Sequence, residues 1–193
     1  MKTIIFGHPN RESFNGAVLN ALTAALSKRG EKYHLIDLYA DKFNPVMTFN
    51  DLSVYTKGES ADPLVKKYIE MLRGSTSLAF IFPVWWSDAP AIVKGFLDKA
   101  LLPEFAFISS DKGLIGRLSF IERADILTTA SSPKWFLRLK CGNPFKKIFL
   151  DTILKSIGIK KGSWQHCNID KQNGVKHREK YLEKIERFFT DMR

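Results

Sequence analysis

Three short segments contain residue types that could bind a flat, polar ligand. The first, His8 to Asn15, supplies an imidazole, a hydroxyl and two amides, and the second, Pro83 to Ser87, has two adjacent tryptophans. The third, Thr128 to Ser131, is small and rich in hydroxyl groups. Hydroxyl, amide and free backbone N–H groups can hold an anion such as phosphate, and a broad aromatic side chain suits a heteroaromatic ring. Together the three segments predict one ligand-binding site.

The first segment has neither of the glycine patterns, GxGxxG and GxxxxGK[ST], that mark dinucleotide and P-loop sites. Ser13 and Asn15 nevertheless lie where a helix is predicted to begin, and the free N–H groups of a first helical turn attract phosphate. A purely structural interpretation is equally open. Ser13 or Asn15 could cap the helix, and His8 could order the loop by a hydrogen bond.

The second segment places Trp85 and Trp86 directly after an apolar run. Adjacent residues cannot both face one core, so we expect one ring at the rim of the site, although both could instead wedge the next helix against the sheet. The third segment could offer hydrogen bonds to the polar edge of the same ring system. An ordinary turn after a strand would look similar.

Strands and helices alternate along the chain that carries these segments. Apolar runs predict strands at residues 2–7, 33–38, 77–83, 124–129 and 162–169, and helical spacing predicts helices near 15–29, 64–72, 91–100, 145–157 and 180–189. Residues 41–58 and 103–118 are predicted loops. The alternation predicts an α/β fold, a doubly wound sheet of five parallel strands with helices on both faces. The three segments follow the first, third and fourth strands, where such sheets bind ligands.

The composition predicts one folded domain spanning residues 1–193. Hydrophobic residues make up 45% and charged residues 26%, which excludes disordered and fibrous classes. Cys141 and Cys167 have no CxxC spacing, so neither a zinc site nor a disulfide framework is indicated. No metal is predicted at His34, His166 or His177, which lack a neighbouring ligand at suitable spacing. The chain has no apolar run long enough for a signal peptide or a membrane span, so we expect a cytoplasmic protein without membrane insertion.

The formal net charge of +10 is spread along the chain. The basic residues occur as pairs, such as Lys66–Lys67 and Lys160–Lys161, and no nucleic-acid-binding signature accompanies them. We therefore expect solvated helix faces and no nucleic-acid partner. The positive field would still attract anionic phosphates, including those of nucleotide cofactors.

Four segments, taken in order, carry a pattern known from one protein family. They are HPNRESFN at His8 to Asn15, DLYADKFNP at Asp37 to Pro45, the stretch Tyr55 to Gly58, and FPVWWSDAPAIVKGFLDKALLPEFAF at Phe82 to Phe107. Their joint occurrence resembles the NAD(P)H:quinone oxidoreductase family of flavodoxin-like flavoproteins. The resemblance covers roughly residues 1 to 110 and is weaker afterwards.

The resemblance implies a noncovalent flavin, FAD or FMN, with NAD(P)H as co-substrate. The flavin phosphate and ribityl chain would lie along His8, Ser13, Phe14 and Asn15. Its ring would lie against Pro83, Val84, Trp85, Trp86 and Ser87. The next flavin loop would be Thr128, Thr129, Ala130 and Ser131, where Ala130 and Ser131 replace a common glycine pair. Two subunits build each pocket in relatives, so a homodimer is implied, with a substrate pocket that includes Phe105, Phe107, Trp135 and Phe136.

One departure from the family concerns proton transfer. Quinone reductases of the best-known type carry a tyrosine and a histidine after the third segment, but here the neighbourhood holds Trp135, Phe136, Lys140 and Cys141. We therefore expect backbone N–H groups of the second and third segments to stabilise the negative charge that develops on the flavin.

The implied activity is hydride transfer from NAD(P)H through the flavin to a quinone, or to an azo or nitroaromatic acceptor, by a ping-pong mechanism. Two alternatives from other classes stay open. One is an FMN-binding electron carrier, although such carriers are acidic and this chain is basic. The other is a redox-sensing regulatory subunit of a potassium-efflux system.

Overall fold

The computed structural model describes residues 1–191, which contain a parallel sheet of five strands and a separate hairpin. In chain order the strands are β1 (Lys2–Phe6), β2 (Tyr33–Asp37), β3 (Ser77–Pro83), β4 (Phe107–Ser110), β5 (Gly113–Gly116), β6 (Arg123–Ala130) and β7 (Lys161–Asn168). The sheet has the order β2-β1-β3-β6-β7, and every pairing in it is parallel. This confirms the five predicted parallel strands. The antiparallel pair β4 and β5 forms the hairpin.

Helices cover both faces of the sheet. They are α1 (Phe14–Lys28), α2 (Phe49–Tyr55), α3 (Pro63–Arg73), α4 (Ala91–Ala100), α5 (Lys134–Leu139), a π-helical segment (Phe145–Leu154), a short 3-10 turn (Lys171–Asn173) and α6 (Gly174–Asp191). Apolar residues of α1 and α6 pack on one face, and those of α3, α4 and the π-helical segment pack on the other. The predicted doubly wound arrangement is confirmed.

The central strand β3 shows why the sequence reads as a continuous apolar run. Its side chains alternate between two buried faces, as expected for a strand covered on both sides. Phe80 and Phe82 contact the rings of Phe149 and Phe145 at centroid distances of 5.0 Å and 5.8 Å. Ile81, between them, joins the opposite core cluster.

Two helices and the hairpin are absent from the predicted pattern because their exposed positions interrupt the apolar period. The predicted loop 41–58 contains α2, where the buried residue is Asp51 while Phe49 and Leu52 face solvent. A capping box formed by Thr48 and Asp51 starts this helix without an apolar stripe. The predicted loop 103–118 contains the hairpin, and α5 follows the third segment.

Two predicted helices are placed correctly but differ in form. The helix predicted at 145–157 is π-helical over Phe145–Leu154. The closing helix begins at Gly174 instead of near residue 180, because its first turns are exposed and carry no apolar period. Within residues 1–191, no helix combines the length and apolarity needed to cross a membrane.

A buried lysine holds the long connection between β2 and β3 in place. Lys99, on α4, is only 3% exposed, and its Nζ lies 3.2 Å from Asp51 Oδ2 and 3.6 Å from Asp62 Oδ2. Burial acts to raise the pKa of the Asp51 carboxyl, but hydrogen bonds from Thr48 and Lys99 outweigh it and hold that pKa below its ordinary value. One cation thus ties α2 and the start of α3 to α4.

We predict that Lys99→Ala destabilises the protein by about 3 to 5 kcal/mol, because two carboxylates would lose a buried counter-charge. Urea unfolding followed by circular dichroism would measure it. Lys94→Ala on the same helix is the matched control, since the pair of Lys94 with Asp98 is exposed and contributes at most about 1 kcal/mol. Equal losses of unfolding free energy in the two variants would contradict this role of Lys99.

Candidate functional site

The loops after β1, β3 and β6 converge on a cleft of about 330 Å³ at the carboxyl ends of the strands. Its lining consists of His8, Ser13, Phe14, Asn15, Pro83, Val84, Trp85, Thr129, Ala130, Ser131 and Ile169. The structure therefore brings together all the flavin-site residues named from the sequence except Trp86, Ser87 and Thr128. Ile169, directly after β7, was missed because it ends the fifth predicted strand and lies outside the three segments.

The first loop combines a structural role with a place in the cleft wall. Ser13 is the N-cap of α1, and its hydroxyl accepts a hydrogen bond from the Gly16 amide at 3.3 Å. His8 orders the loop, since its Nδ1 accepts a hydrogen bond from the Asn10 amide at 3.0 Å. The structural interpretation of Ser13 and His8 is thus correct as far as it goes, and both residues also line the cleft.

Two further contacts fix the course of this loop, and sequence reasoning found neither. Arg11 Nε donates a hydrogen bond of 2.5 Å to the buried Asp37 carboxylate at the end of β2, and its guanidinium lies 5.1 Å from the Phe6 ring centroid. Gly16 allows the loop to pass very close to α1. A Cβ at that position would lie 1.7 Å from the Arg11 carbonyl oxygen.

Asn15 is a polar residue of the cleft whose side chain has an unpaired hydrogen-bond acceptor. It is 2% exposed, and its Nδ2 donates a hydrogen bond of 2.9 Å to Thr129 Oγ1. Its Oδ1 is buried and has no hydrogen-bond partner within the described residues. A buried unpaired acceptor costs about 1 to 3 kcal/mol. A ligand hydroxyl or N–H in the cleft would remove that cost.

The second loop is a tight turn that separates the two tryptophan rings. The Trp85 and Asp88 backbones exchange two hydrogen bonds of 3.0 Å each, and Trp86 and Ser87 between them have φ of 51° and 64°. Two consecutive left-handed residues define a type I′ turn, which glycine and asparagine normally occupy. Trp85 lines the cleft while Trp86 is fully exposed. One ring therefore stands at the rim, as we expected because the two residues are adjacent. The left-handed backbone of Trp86 and Ser87 is strained, and such strain is typical of ligand-binding loops.

The third loop is anchored from the strand behind it. Thr128 points away from the cleft, and its hydroxyl accepts a hydrogen bond from Trp164 Nε1 at 2.8 Å and donates one to His166 Nδ1 at 2.8 Å. His166 Nε2 in turn donates to the Ser132 carbonyl at 2.9 Å. Burial lowers the pKa of His166 to about 4, against an opposing contribution from the Ser132 bond and with help from the charge of Lys134. The imidazole is neutral and holds the loop.

The four residues assigned to a substrate pocket do not line the cleft of the single chain. Phe105 is buried beneath the Arg73 guanidinium, 4.7 Å from its ring centroid, and Phe107 is half-buried at the start of β4. Trp135 and Phe136 are exposed on α5 and meet edge to face at 6.0 Å. Their assignment stays a prediction that depends on a second subunit.

The two cysteines occupy different surroundings. Ser87 Oγ donates to Cys141 Sγ at 3.2 Å, which links the tryptophan turn to the segment after α5. Burial raises the pKa of the Cys167 thiol to about 11, although Arg178 opposes the shift. Cys167 is thus a protonated core thiol at neutral pH. Across the described residues, no three His, Cys, Asp or Glu side chains cluster to hold a metal ion.

Comparison with known proteins agrees with this geometry. A family model described as the flavodoxin-like fold matches residues 2–188. The chain belongs to this family. An NAD(P)H oxidoreductase from Haemophilus influenzae, named as uncharacterized, is 28% identical over 168 residues, covering 86% of this chain and 78% of its own.

Solved structures extend the comparison. A Streptococcus mutans protein shares 32% identity with a TM-score of 0.85, and both chains are fully covered. An NAD(P)H:quinone oxidoreductase from Methanothermobacter marburgensis shares 27% identity with a TM-score of 0.87, covering 100% of this chain and 98% of its own. The chain spans about half the length of some mammalian quinone dehydrogenases that it also matches. The resemblance to NAD(P)H:quinone oxidoreductases is confirmed.

We predict that His166 makes stability fall with acid. Its folded-state pKa of about 4 lies below the ordinary 6.5, so the unfolded chain binds more protons between these values. The contribution is complete above pH 6.5 and is lost as the pH falls towards 4, by up to about 3 kcal/mol. Urea unfolding of wild type and His166→Gln, which does not titrate, should diverge over this window. The exposed His177→Gln is the control, and an identical pH dependence for His166→Gln and wild type would refute the prediction.

Proposed function

We propose that the cleft binds a noncovalent flavin, FMN or FAD, and that the protein uses it to pass hydride from NAD(P)H to a quinone or a similar flat aromatic acceptor. The family and the oxidoreductase names of its relatives support the reaction class. The observation that carries the proposal is the buried, unpaired Asn15 Oδ1 in a cleft formed by three strand-end loops.

The residues of the cleft fit the polar half of a flavin. The 15-residue helix α1 begins at its wall, and a helix N-terminus favours negative charge such as phosphate. The Ser13 hydroxyl can turn towards a phosphate oxygen without leaving its capping position. Asn15 Oδ1 can accept a hydrogen bond from a ribityl hydroxyl. These residues would hold the chain and phosphate of the cofactor.

The second and third loops fit the flat half. Val84 and Trp85 contribute apolar surface to the cleft, and Ala130 and Ser131 contribute small side chains. A backbone hydrogen bond of 2.8 Å from Val84 to Thr129 joins the two loops. We assign the ring of the flavin to this slot.

When bound, the flavin supplies the hydride chemistry, accepting two electrons from one substrate and returning them to another. The chain supplies position and charge stabilisation. No carboxylate, lysine or tyrosine side chain lines the cleft among the described residues. We assign the stabilisation of negative charge on the ring to backbone N–H groups of the second and third loops.

A homodimer would complete the substrate side of this site. Trp86, Trp135 and Leu139 are large apolar residues exposed near the rim or on α5, and such surface is often covered by a partner. Phe107, half-buried at the start of β4, would then line the site together with the neighbouring chain. Sedimentation equilibrium should then give twice the 22.0 kDa chain mass, and a monomer at micromolar concentration would exclude this arrangement.

We predict that the purified protein binds flavin and that Asn15→Ala weakens this binding at least about tenfold. The substitution removes both the hydrogen bond between Asn15 Oδ1 and a ribityl hydroxyl and the bond from Asn15 to Thr129. Flavin fluorescence during titration of the apoprotein measures the Kd. Asn20→Ala, on the exposed side of α1, is the matched control and should bind as wild type does. A wild-type protein that stays colourless with added FMN and FAD would overturn the proposed function.

We also predict ping-pong kinetics, because donor and acceptor would use the same slot in turn. Initial rates with NAD(P)H and a quinone varied together should give parallel double-reciprocal lines. Steady turnover by the protein alone would separate an enzyme from an electron carrier or a regulatory subunit. Intersecting lines would contradict a shared slot.

A further inference from the structure

A cavity of about 650 Å³ lies at the amino-terminal end of the sheet, at the opposite end of the strands from the flavin cleft. The starts of β1, β3, β6 and β7 and the ends of α1 and α6 surround it. Its basic side chains are Lys2, Arg29, Lys32, Arg123 and Lys161, and its acidic side chains are Glu31 and Glu122. We call it the amino-end cavity. The reaction proposed above makes no use of it.

The wall of the amino-end cavity contains a buried ammonium group. Lys2 is only 4% exposed, and its Nζ donates a hydrogen bond of 2.9 Å to Ser77 Oγ and lies 5.1 Å from the Phe189 ring centroid. Within residues 1–191 it forms no salt bridge. Burial lowers the pKa of Lys2, although the charge of Asp125 opposes the shift. A buried charge without a counter-ion is costly, so an anion in the cavity would stabilise this ammonium group.

A second cation of the wall is fixed in position and still has donors to offer. Arg123 Nε donates hydrogen bonds of 3.0 Å and 2.8 Å to the two carboxylate oxygens of Asp125, and its guanidinium lies 5.3 Å from the Phe188 ring centroid. A guanidinium has five N–H donors, and the Nη groups of Arg123 bond no acceptor in the described part of the chain. They can therefore bind a phosphate or carboxylate oxygen.

Strand pairing arranges the basic residues of the cavity in a row. Four register partners on the adjacent strands β1, β3, β6 and β7 form it, namely Lys2, Ser77, Arg123 and Lys161. Neighbouring strands lie about 4.8 Å apart, so the row spans roughly 14 Å at the backbone. The Ser77 oxygen accepts from Lys2, which leaves its hydrogen free to donate. A linear anion with several charges matches this row better than a single compact ion.

Ordinary structural roles account for only part of the charge. Arg29 pairs with Glu31 at 2.5 Å, and its Nη1 donates to the Phe189 carbonyl near the end of α6, where a cation is normally favourable. The cations of the cavity that form no salt bridge within residues 1–191 are Lys2, Lys32 and Lys161. The carboxylate of Glu122 offsets one of these charges. A positive surplus therefore remains for a ligand.

We propose that the amino-end cavity binds a linear phosphate chain, such as that of a nucleoside triphosphate or of inorganic polyphosphate, along Lys2, Arg123 and Lys161. The cavity volume falls within the range of small-molecule sites, about 300 to 1,000 Å³. A folded macromolecule could not reach the buried Lys2, whereas a thin chain can enter the cavity. The site is separate from the flavin cleft, so the proposal does not depend on the proposed function.

Calorimetric titration of the whole chain with tripolyphosphate tests this assignment. The buffer has low ionic strength, because salt screens exposed charges. Titrations are run with and without saturating FMN, so that competition reveals any binding of tripolyphosphate in the flavin cleft. Tripolyphosphate should bind one site per chain with the same affinity in both. Inorganic phosphate should bind at least about tenfold more weakly, because it reaches fewer cations of the row.

Two substitutions locate the site. Lys2→Met removes the buried ammonium group, and Lys161→Glu reverses an exposed charge that contributes no packing to the core. Lys66→Met and Lys66→Glu, at an exposed position of α3, are the matched controls. Each cavity variant should weaken tripolyphosphate binding at least about tenfold, and each control by less than about twofold. Circular dichroism checks the fold, and Lys161→Glu decides the question alone if Lys2→Met does not fold.

Further ligands identify the chain and limit the proposal. Tighter binding of ATP than of tripolyphosphate indicates a nucleotide, and equal or weaker binding of ATP indicates inorganic polyphosphate. Citrate carries several charges in a compact form, and binding of citrate as tight as that of tripolyphosphate would overturn the linear arrangement. The assignment also fails if tripolyphosphate does not bind, if FMN displaces it, or if cavity and control variants respond equally. Those results would leave the proposed flavin chemistry untouched.

Discussion

All three ligand loops meet at Thr129. Its hydroxyl accepts from Asn15 at the start of α1, and its carbonyl accepts from the Val84 amide at 2.8 Å. These two bonds join elements that are far apart in sequence, and the bond between Asn15 and Thr129 is buried. The position of the helix N-terminus relative to the tryptophan turn is therefore set at one residue. Thr129 thus connects the first and the second loop of the cleft through one side-chain bond and one backbone bond.

The sheet itself could be derived from the sequence because each central strand is a short apolar run with a turn signal at its end. β3 is the clearest case, since both faces are buried and no polar residue interrupts Leu78 to Phe82. The same logic located the cleft, because strand ends share one edge in parallel sheets. It failed for α2, whose buried residue is Asp51, a charged group held by hydrogen bonds from Thr48 and by Lys99. Such a pairing across 48 residues leaves no periodic signal.

The candidate site, too, could be predicted from the sequence only in part. The residue types that follow β1, β3 and β6 indicated which loops form the cleft. They did not indicate the direction in which each side chain points. Thr128 and Thr129 are chemically identical neighbours, yet the pleat sends one towards Trp164 and the other into the cleft. The sequence left His166 as either structural or exposed, and its link to the Ser132 carbonyl required three-dimensional placement. The basic residues are spread along the sequence, and folding brings several of them together beside β7.

The close approach at Gly16 has a consequence for how this loop can change over time. The Arg11 carbonyl occupies the volume that any side chain at position 16 would need, and Arg11 is itself held by Asp37 on a different strand. A side chain at position 16 would push the Arg11 backbone away and with it disturb the ion pair between Arg11 and Asp37. As long as the loop follows this course, glycine is the residue that position 16 can accept.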